Sequence, residues 1–289
     1  MSISLMHAGG QTYYWWGNAA KSHVIAQILT QIRDDRPCVV FDYGCGDGGY
    51  WPQILRDYPQ IQWWGFEPQT QRRQIAQKRL AGLSAQVVGW EELQTTQINA
   101  NFIVSFSVLE HVYHRRQYLE MAQKHLAPQG IFYLNYDDGH FRPLLDVSQP
   151  KTWLPTLKVA VHNWVAPLLA RVGYLAPFQQ RVIQAEIDQL IREMGWQVEQ
   201  IFYSNLECLK SLIKTLPDAE KSAFTQVWVE LETTLNQKFA HTGTEHLGDA
   251  SNLWTVMPSR TLVLTHSPAH DTPGNEHPKE SVQLFQRQG

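Results

Sequence analysis

The sequence predicts an α/β protein built on a mostly parallel sheet with helices on both faces, and three observations predict it. An apolar run, Cys38-Val39-Val40-Phe41-Asp42-Tyr43, closes on Gly44, Gly46 and Gly48 and leads into Tyr50-Trp51-Pro52-Gln53-Ile54-Leu55, which reads as strand, tight turn and helix start. A second short run, Ile61-Gln62-Trp63-Trp64-Gly65-Phe66, ends on Glu67, an acid about twenty positions after the glycines, where a nucleotide-binding α/β unit places its ribose-hydroxyl acceptor. The alternation of apolar strand and helical segment then continues, as a parallel sheet with crossover helices requires.

Each element has its own signal. Residues 19–32 carry apolar spacing suited to a helix, behind the aromatic run Tyr13-Tyr14-Trp15-Trp16. Strands are predicted over 39–43 and 62–66, a helix over 70–83 and a third strand over 85–88. The strand 100–106 meets Ser107-Val108-Leu109-Glu110-His111-Val112 at its end. A helix over 115–126, the turn Ala127-Pro128-Gln129-Gly130 and a fifth strand over 131–136 come next. From 142 to 181 the rhythm breaks. Trp153, Leu157, Val161, Trp164 and Leu168 recur at helical spacing, and Pro155 and Pro167 mark breaks or first-turn positions. A helix over 184–194 ended by Gly195, a strand over 196–203, helices over 206–216 and 218–239, and a last strand over 259–265 complete the reading, the last strand antiparallel to its partner. The division expected is an N-terminal cap (1–35), a core (36–141 and 182–265) with helical insertions at 142–181 and 206–257, and a disordered tail (266–289) poor in apolar residues.

Glycine suits the turn after the first strand because it accepts positive φ and lets backbone lie against a ligand. The helix start beyond it offers free N–H groups to a polar or anionic partner. The glycines alone leave the cofactor open, because Gly44, Gly46 and Gly49 also fit the dinucleotide pattern G-x-G-x-x-G. A tight connection holding no ligand is the alternative.

Taken together with the segments around residues 109 and 126, these residues resemble the class I S-adenosylmethionine-dependent methyltransferases, whose pattern is acidic-x-Gly-x-Gly-x-Gly and then an acid ending the second strand. Asp42-Tyr43-Gly44-Cys45-Gly46-Asp47-Gly48 matches without a gap. Leu109-Glu110-His111-Val112 and Leu126-Ala127-Pro128-Gln129-Gly130 are similar to a block of the small-molecule branch, of the kind found in quinone-biosynthesis methyltransferases. The resemblance implies a Rossmann-like sheet of seven strands, six parallel and one antiparallel. It implies S-adenosyl-L-methionine as cofactor, S-adenosyl-L-homocysteine as product, and a small-molecule acceptor (a secondary metabolite, a saccharide or a quinone-like compound) methylated at oxygen. The alternatives are transfer to nitrogen or carbon, a non-catalytic cofactor-binding scaffold, or a nicotinamide enzyme, which the Leu109–Val112 block argues against.

The cofactor-binding residues expected are Asp42, Gly44, Cys45, Gly46, Gly48, Glu67, Pro68, Trp90, Glu91, Ser107 and Tyr14. Trp90 stands where the family often has an acid beside the adenine, with Glu91 next; stacking on adenine and plain packing are both open. Tyr13 or Tyr14 could fold over the cofactor. His111 is the leading base, since it follows the fourth strand and titrates near neutrality, with Glu110 an anchor of the same turn. Asp137 and His140, in the polar stretch 135–140, are further catalytic candidates, expected with Asp138 to hydrogen-bond substrate; a capped, solvated turn is the alternative, and no metal is called for, although paired carboxylates with a histidine could hold a divalent cation.

Composition bounds the remainder. Hydrophobic residues make up 43 % of the 289, enough for a packed core, and the net charge of −3 comes with no polybasic run, which argues against nucleic acid. Cys38, Cys45 and Cys208 form no C-x-x-C pair and read as reduced thiols. With no signal segment or membrane span, the expectation is a cytoplasmic protein. The apolar stripe of 142–181 is expected to lid the acceptor pocket; the alternatives are a homodimer face and a membrane-surface contact, weakest because few lysines accompany it.

Overall fold

The computed structural model describes residues 13, 18–33, 35–139, 180–239, 246–247 and 252–266. The expected lid, apart from residues 180 and 181, therefore lies outside the described residues, as do Tyr14, His140, Trp153, Trp164 and the tail beyond His266.

In chain order the elements are α1 (Ala19–Gln31), β1 (Cys38–Tyr43), α2 (Trp51–Asp57), β2 (Ile61–Phe66), α3 (Thr70–Arg79), β3 (Ala85–Val88), α4 (Trp90–Thr95) and β4 (Ala100–Phe106). A single 3-10 turn (Leu109–His111) leads to α5 (Arg115–His125) and β5 (Leu126–Asp137). Then come α6 (Gln184–Glu193), β6 (Gln197–Ser204), α7 (Glu207–Ile213), α8 (Asp218–Phe239), α9 (Asn252–Val256) and β7 (Ser259–Thr265). The strands form one sheet in the order β3-β2-β1-β4-β5-β7-β6, with β7 antiparallel to both neighbours and the other pairs parallel. Six parallel strands and one antiparallel are as expected.

Strand alternation builds a core on each face. Val40, Phe102, Val104, Tyr133 and Val263 face one layer, with Trp51 and Ile54 of α2 and Val24, Ile25 and Ile28 of α1. Phe41, Tyr43, Ile103, Phe132, Leu134, Leu262 and Leu264 face the other, with Leu119 of α5, Ile187 and Ile191 of α6 and Trp228 of α8. The helices between β6 and β7 do not stand apart: α8 packs on α1, α7 and β6.

Element ends differ from the sequence reading where backbone chemistry intervenes. The helix expected to 83 stops at Arg79, because the chain turns through Gly82 at φ 81°. The fifth strand starts at Leu126 rather than 131. Its pairing with β4 shifts register between Ala100 and Phe102, where Gln129 takes φ 63° and a Cβ on Gly130 would stand 2.8 Å from the Ala100 carbonyl oxygen. Residues 127–130 of β5 thus stand against residue 101 alone of β4, and the ladder is interrupted there. The strand expected at 196–203 runs one residue later, because Trp196 packs into the core behind Gly195 at φ 71°.

Candidate active site

The carboxyl ends of β1, β2 and β4 meet at one rim, and the glycine turn is tied across it. The N–H groups of Gly44 and Cys45 both donate to the Phe66 carbonyl, at 3.1 and 2.9 Å. Gly44 (φ 109°) is there because of crowding: a Cβ would lie 2.4 Å from Val108 Cγ2 in the turn after β4. Gly46 (φ 58°) is there for the opposite reason, since a Cβ would meet nothing within 4 Å. Its backbone borders open space that a ligand can approach closely. Gly48 (φ 64°) packs on Leu80, just past the end of α3.

Asp42, 1 % exposed, lies near the end of β1 beneath this turn. Its Oδ2 accepts the Tyr50 hydroxyl at 2.6 Å and the Trp51 indole N–H at 2.7 Å. Burial pushes the carboxyl up to about 6, against those hydrogen bonds and the Lys21 ammonium, which favour the charged form. The Cys45 thiol is buried and pushed well up, so it stays protonated and inert. At the end of β2, Glu67 Oε1 accepts the Gln69 N–H at 2.8 Å, and Arg73 holds the Glu67 and Pro68 carbonyls. Glu67 Oε2 makes no hydrogen bond among the described residues. Trp90 opens α4 half-buried, its ring edge-on to Phe66 at 4.7 Å, and Glu91 beside it is exposed. Ser107, at φ 53°, follows β4 with its N–H on the Asn135 carbonyl. Tyr13 donates its hydroxyl to Asp57, the last residue of α2.

The carboxyl ends of β5 and β6 carry a different arrangement. Glu110, 1 % exposed, accepts the Asp137 N–H on Oε1 at 2.6 Å, while its Oε2 has no partner among the described residues. Burial pushes this carboxyl up to about 7. Asp137 accepts the Gly139 N–H at 2.7 Å on Oδ1 and the Asn205 amide at 3.0 Å on Oδ2, and Lys210 stands 3.8 Å away. Asn205 (φ 65°) also takes the Ala19 N–H at 2.8 Å, joining the start of α1 to the end of β6. Asp138 is gripped on both oxygens by Arg181, at 2.6 and 2.7 Å. His111 is exposed at the end of the 3-10 turn. Among the described residues no three His, Cys, Asp or Glu side chains converge as a metal-binding group. A cavity of about 480 Å³ beside this rim is lined by Tyr113, His114, Arg115, Gln117, Gln180 and Glu186, and none of the glycine-turn residues borders it.

The model of the methyltransferase domain family matches residues 17–201. The chain belongs to the class I S-adenosylmethionine-dependent methyltransferases. Among solved structures, a phosphoethanolamine N-methyltransferase of Haemonchus contortus has a TM-score of 0.52 at 9 % identity, covering 90 % of this chain and 55 % of that one. An O-methyltransferase of a polyketide multienzyme from Brevibacillus brevis, in complex with S-adenosyl-L-homocysteine, gives 0.47 at 16 % identity, covering 87 % and 78 %. At such identities the likeness is one of fold. No curated protein matches the chain.

The methyltransferase uses S-adenosylmethionine, and the rim fits it on two observations: the open approach over Gly46 and the uncommitted oxygen of Glu67 at the position of a ribose acceptor. The structure gathers Asp42, Gly44, Cys45, Gly46, Gly48, Glu67, Pro68, Trp90, Glu91 and Ser107 at the ends of β1 to β4, as the sequence groups them. It separates Asp137 from His111: one is buried in a hydrogen-bond network, the other faces solvent. Sequence reasoning gave Glu110 only a structural place and passed over Asn205 and Lys21. A glutamate preceding a histidine at a strand end was the available signal for the first, and no local motif marks the other two.

Proposed function

We propose that this methyltransferase transfers a methyl group to a hydroxyl oxygen of a small molecule, with Glu110 taking the proton. One observation carries the reading: a carboxyl buried to 1 %, held on one oxygen by the β5 backbone, with its second oxygen unengaged among the described residues. A group pushed up to about 7 is matched to abstracting a proton near neutral pH. In the step, the acceptor O–CH3 bond forms as the S–CH3 bond breaks, and the hydroxyl proton moves to Glu110 Oε2. His111, the base of the sequence reading, is exposed at the end of the 3-10 turn and is not given the base role. Asp137 orients the Gly139 turn and Asn205, and its carboxylate is already engaged on both oxygens. Asp42, the glycine turn with Cys45, Glu67 with Pro68, Trp90, Glu91 and Ser107 form the cofactor side.

Isothermal titration is expected to show micromolar binding of S-adenosylmethionine; none at millimolar ligand overturns the reading. An acceptor screen that tracks release of S-adenosylhomocysteine is expected to find hydroxyl acceptors, and binding without any turnover favours a scaffold. On an active acceptor, Glu110→Gln is expected to lower turnover by about 10²- to 10⁴-fold with cofactor affinity kept. Wild-type turnover is expected to fall as pH drops through about 7, where Glu110 protonates. A fully active Glu110→Gln with an unchanged pH profile removes the base role.

A further inference from the structure

We infer that Lys21 binds the α-carboxylate of the cofactor's methionine portion, an inference that rests on the S-adenosylmethionine reading of the glycine rim. Lys21 is the third residue of α1, and a cation in the first turn of a helix opposes the helix dipole. It is also partly buried, which costs an ammonium its hydration and pulls it below its ordinary value. Neither placement favours the fold; what the described residues offer in return is the face of the Tyr50 ring and the more distant charges of Asp42 and Asp47.

The ammonium lies 4.4 Å from the centre of the Tyr50 ring and 5.8 Å from that of Phe106. Both carboxylates that act on it are already engaged. Asp42 Oδ2 holds the Tyr50 hydroxyl and the Trp51 indole. Asp47 is paired with Arg79 at 2.8 Å. No carboxylate of the described residues stands within 4.0 Å of the Lys21 nitrogen, so its three donors keep capacity for an anion.

The place from which an anion can arrive is fixed by the same rings. Tyr50 comes directly after the glycine turn and Phe106 ends β4, so the ammonium stands over the rim between β1 and β4 that Gly46 leaves open. S-adenosylmethionine carries one carboxylate, at the end of the molecule opposite its adenine. With Glu67 at the end of β2 on the ribose, the methionine portion extends towards β4, where Lys21 lies. The same contact would couple α1 to cofactor binding, since the Ala19 N–H is fixed on Asn205 at the acceptor rim.

The test measures S-adenosylhomocysteine and 5′-methylthioadenosine, which lacks the amino-acid portion, by isothermal titration on wild type, Lys21→Met and Lys21→Arg, with urea midpoints to establish folding. Lys21→Met is expected to weaken S-adenosylhomocysteine by about 10- to 100-fold, the weight of a charge-assisted hydrogen bond. It is expected to leave 5′-methylthioadenosine within a factor of two or so, and Lys21→Arg is expected to restore most of the loss. Equal weakening of both ligands, or no weakening of S-adenosylhomocysteine in a folded Lys21→Met, overturns the assignment. A wild type that binds neither ligand overturns the cofactor reading itself.

Discussion

On the β1–β2 side of the rim, the two acids are fixed by neighbours in sequence: Tyr50 and Trp51 reach Asp42 over 8 and 9 positions, and Gln69 reaches Glu67 over 2. On the β5–β6 side the corresponding spans are 68 positions from Asn205 to Asp137, 72 from Arg260 to Asp188 and 209 from His23 to Glu232. The first side is a backbone device, in which glycines shape a turn and carbonyls tie it down. The second is a set of buried side chains whose partners meet only once the chain has folded. A local device survives as a motif, whereas a long-range network leaves no pattern in one sequence.

The sharpest way to separate the two sides is to break each alone. Arg260, fully buried on β7, donates to Asp188 at 2.6 Å and to the Tyr136 hydroxyl at 2.7 Å. Arg260→Met takes this guanidinium away from the buried Asp188 carboxylate, and is expected to lose about 3–5 kcal/mol in urea unfolding. What remains folded is expected to bind S-adenosylmethionine with wild-type affinity; lost affinity at full folding breaks the comparison.

On the glycine side, Gly44→Ala adds about 1–3 kcal/mol for driving a Cβ into Val108 to the left-handed backbone penalty of about 1–2 kcal/mol, and is expected to abolish cofactor binding. Gly46→Ala meets no atom and carries only the left-handed backbone penalty of about 1–2 kcal/mol, with weakened binding. Equal unfolding midpoints for the two variants contradict the different reasons assigned to these glycines.

The smallest effect is one of pH. His125, fully buried at the end of α5 with no partner on either ring nitrogen among the described residues, is pushed down by burial to about 4. Between about 6.5 and 4 the unfolded chain binds a proton that the folded one does not, so this residue removes stability as pH falls through that window. Asp42 works in the opposite sense. Its folded value near 6 exceeds the ordinary 3.8, so the fold gains from this group as pH falls from about 6 towards 4. His125→Met is therefore expected to lose less stability than wild type between pH 7 and pH 5, in paired urea midpoints. An equal loss in both proteins removes His125 from the account.

This division also explains which features a single sequence makes legible. The seven strands and their direction were legible because apolar runs, glycines and the acid of Glu67 are local signals, and the ends of β3, α8 and β7 fall where the sequence puts them. The irregularity in β5 falls on the turn residues 127–130 that the sequence marks, but the pairing of Leu126 with Ala100 before it was not legible, because it is set by another strand. On the candidate site, Asp42 to Gly48 and Glu67 were legible as a spacing. The environment that separates Glu110 from His111 was not: adjacent in sequence, one turns under β5 and the other into solvent. Lys21 carries no motif, and only the fold brings the start of α1 over Tyr50.

The position of β7 has a consequence for how the protein comes into being. Among the described residues the last strand in sequence is interior to the sheet, and β6 joins the sheet through it alone. During synthesis β1 to β5 can assemble in order as they emerge, but β6 must wait beside them without a partner until residues 259–265 arrive. The same late strand brings Arg260 to Asp188, so the acid of α6 has to stay in contact with water until then. A chain cut before Ser259 would bare the edges of β5 and β6 at once, two open templates for pairing with other chains.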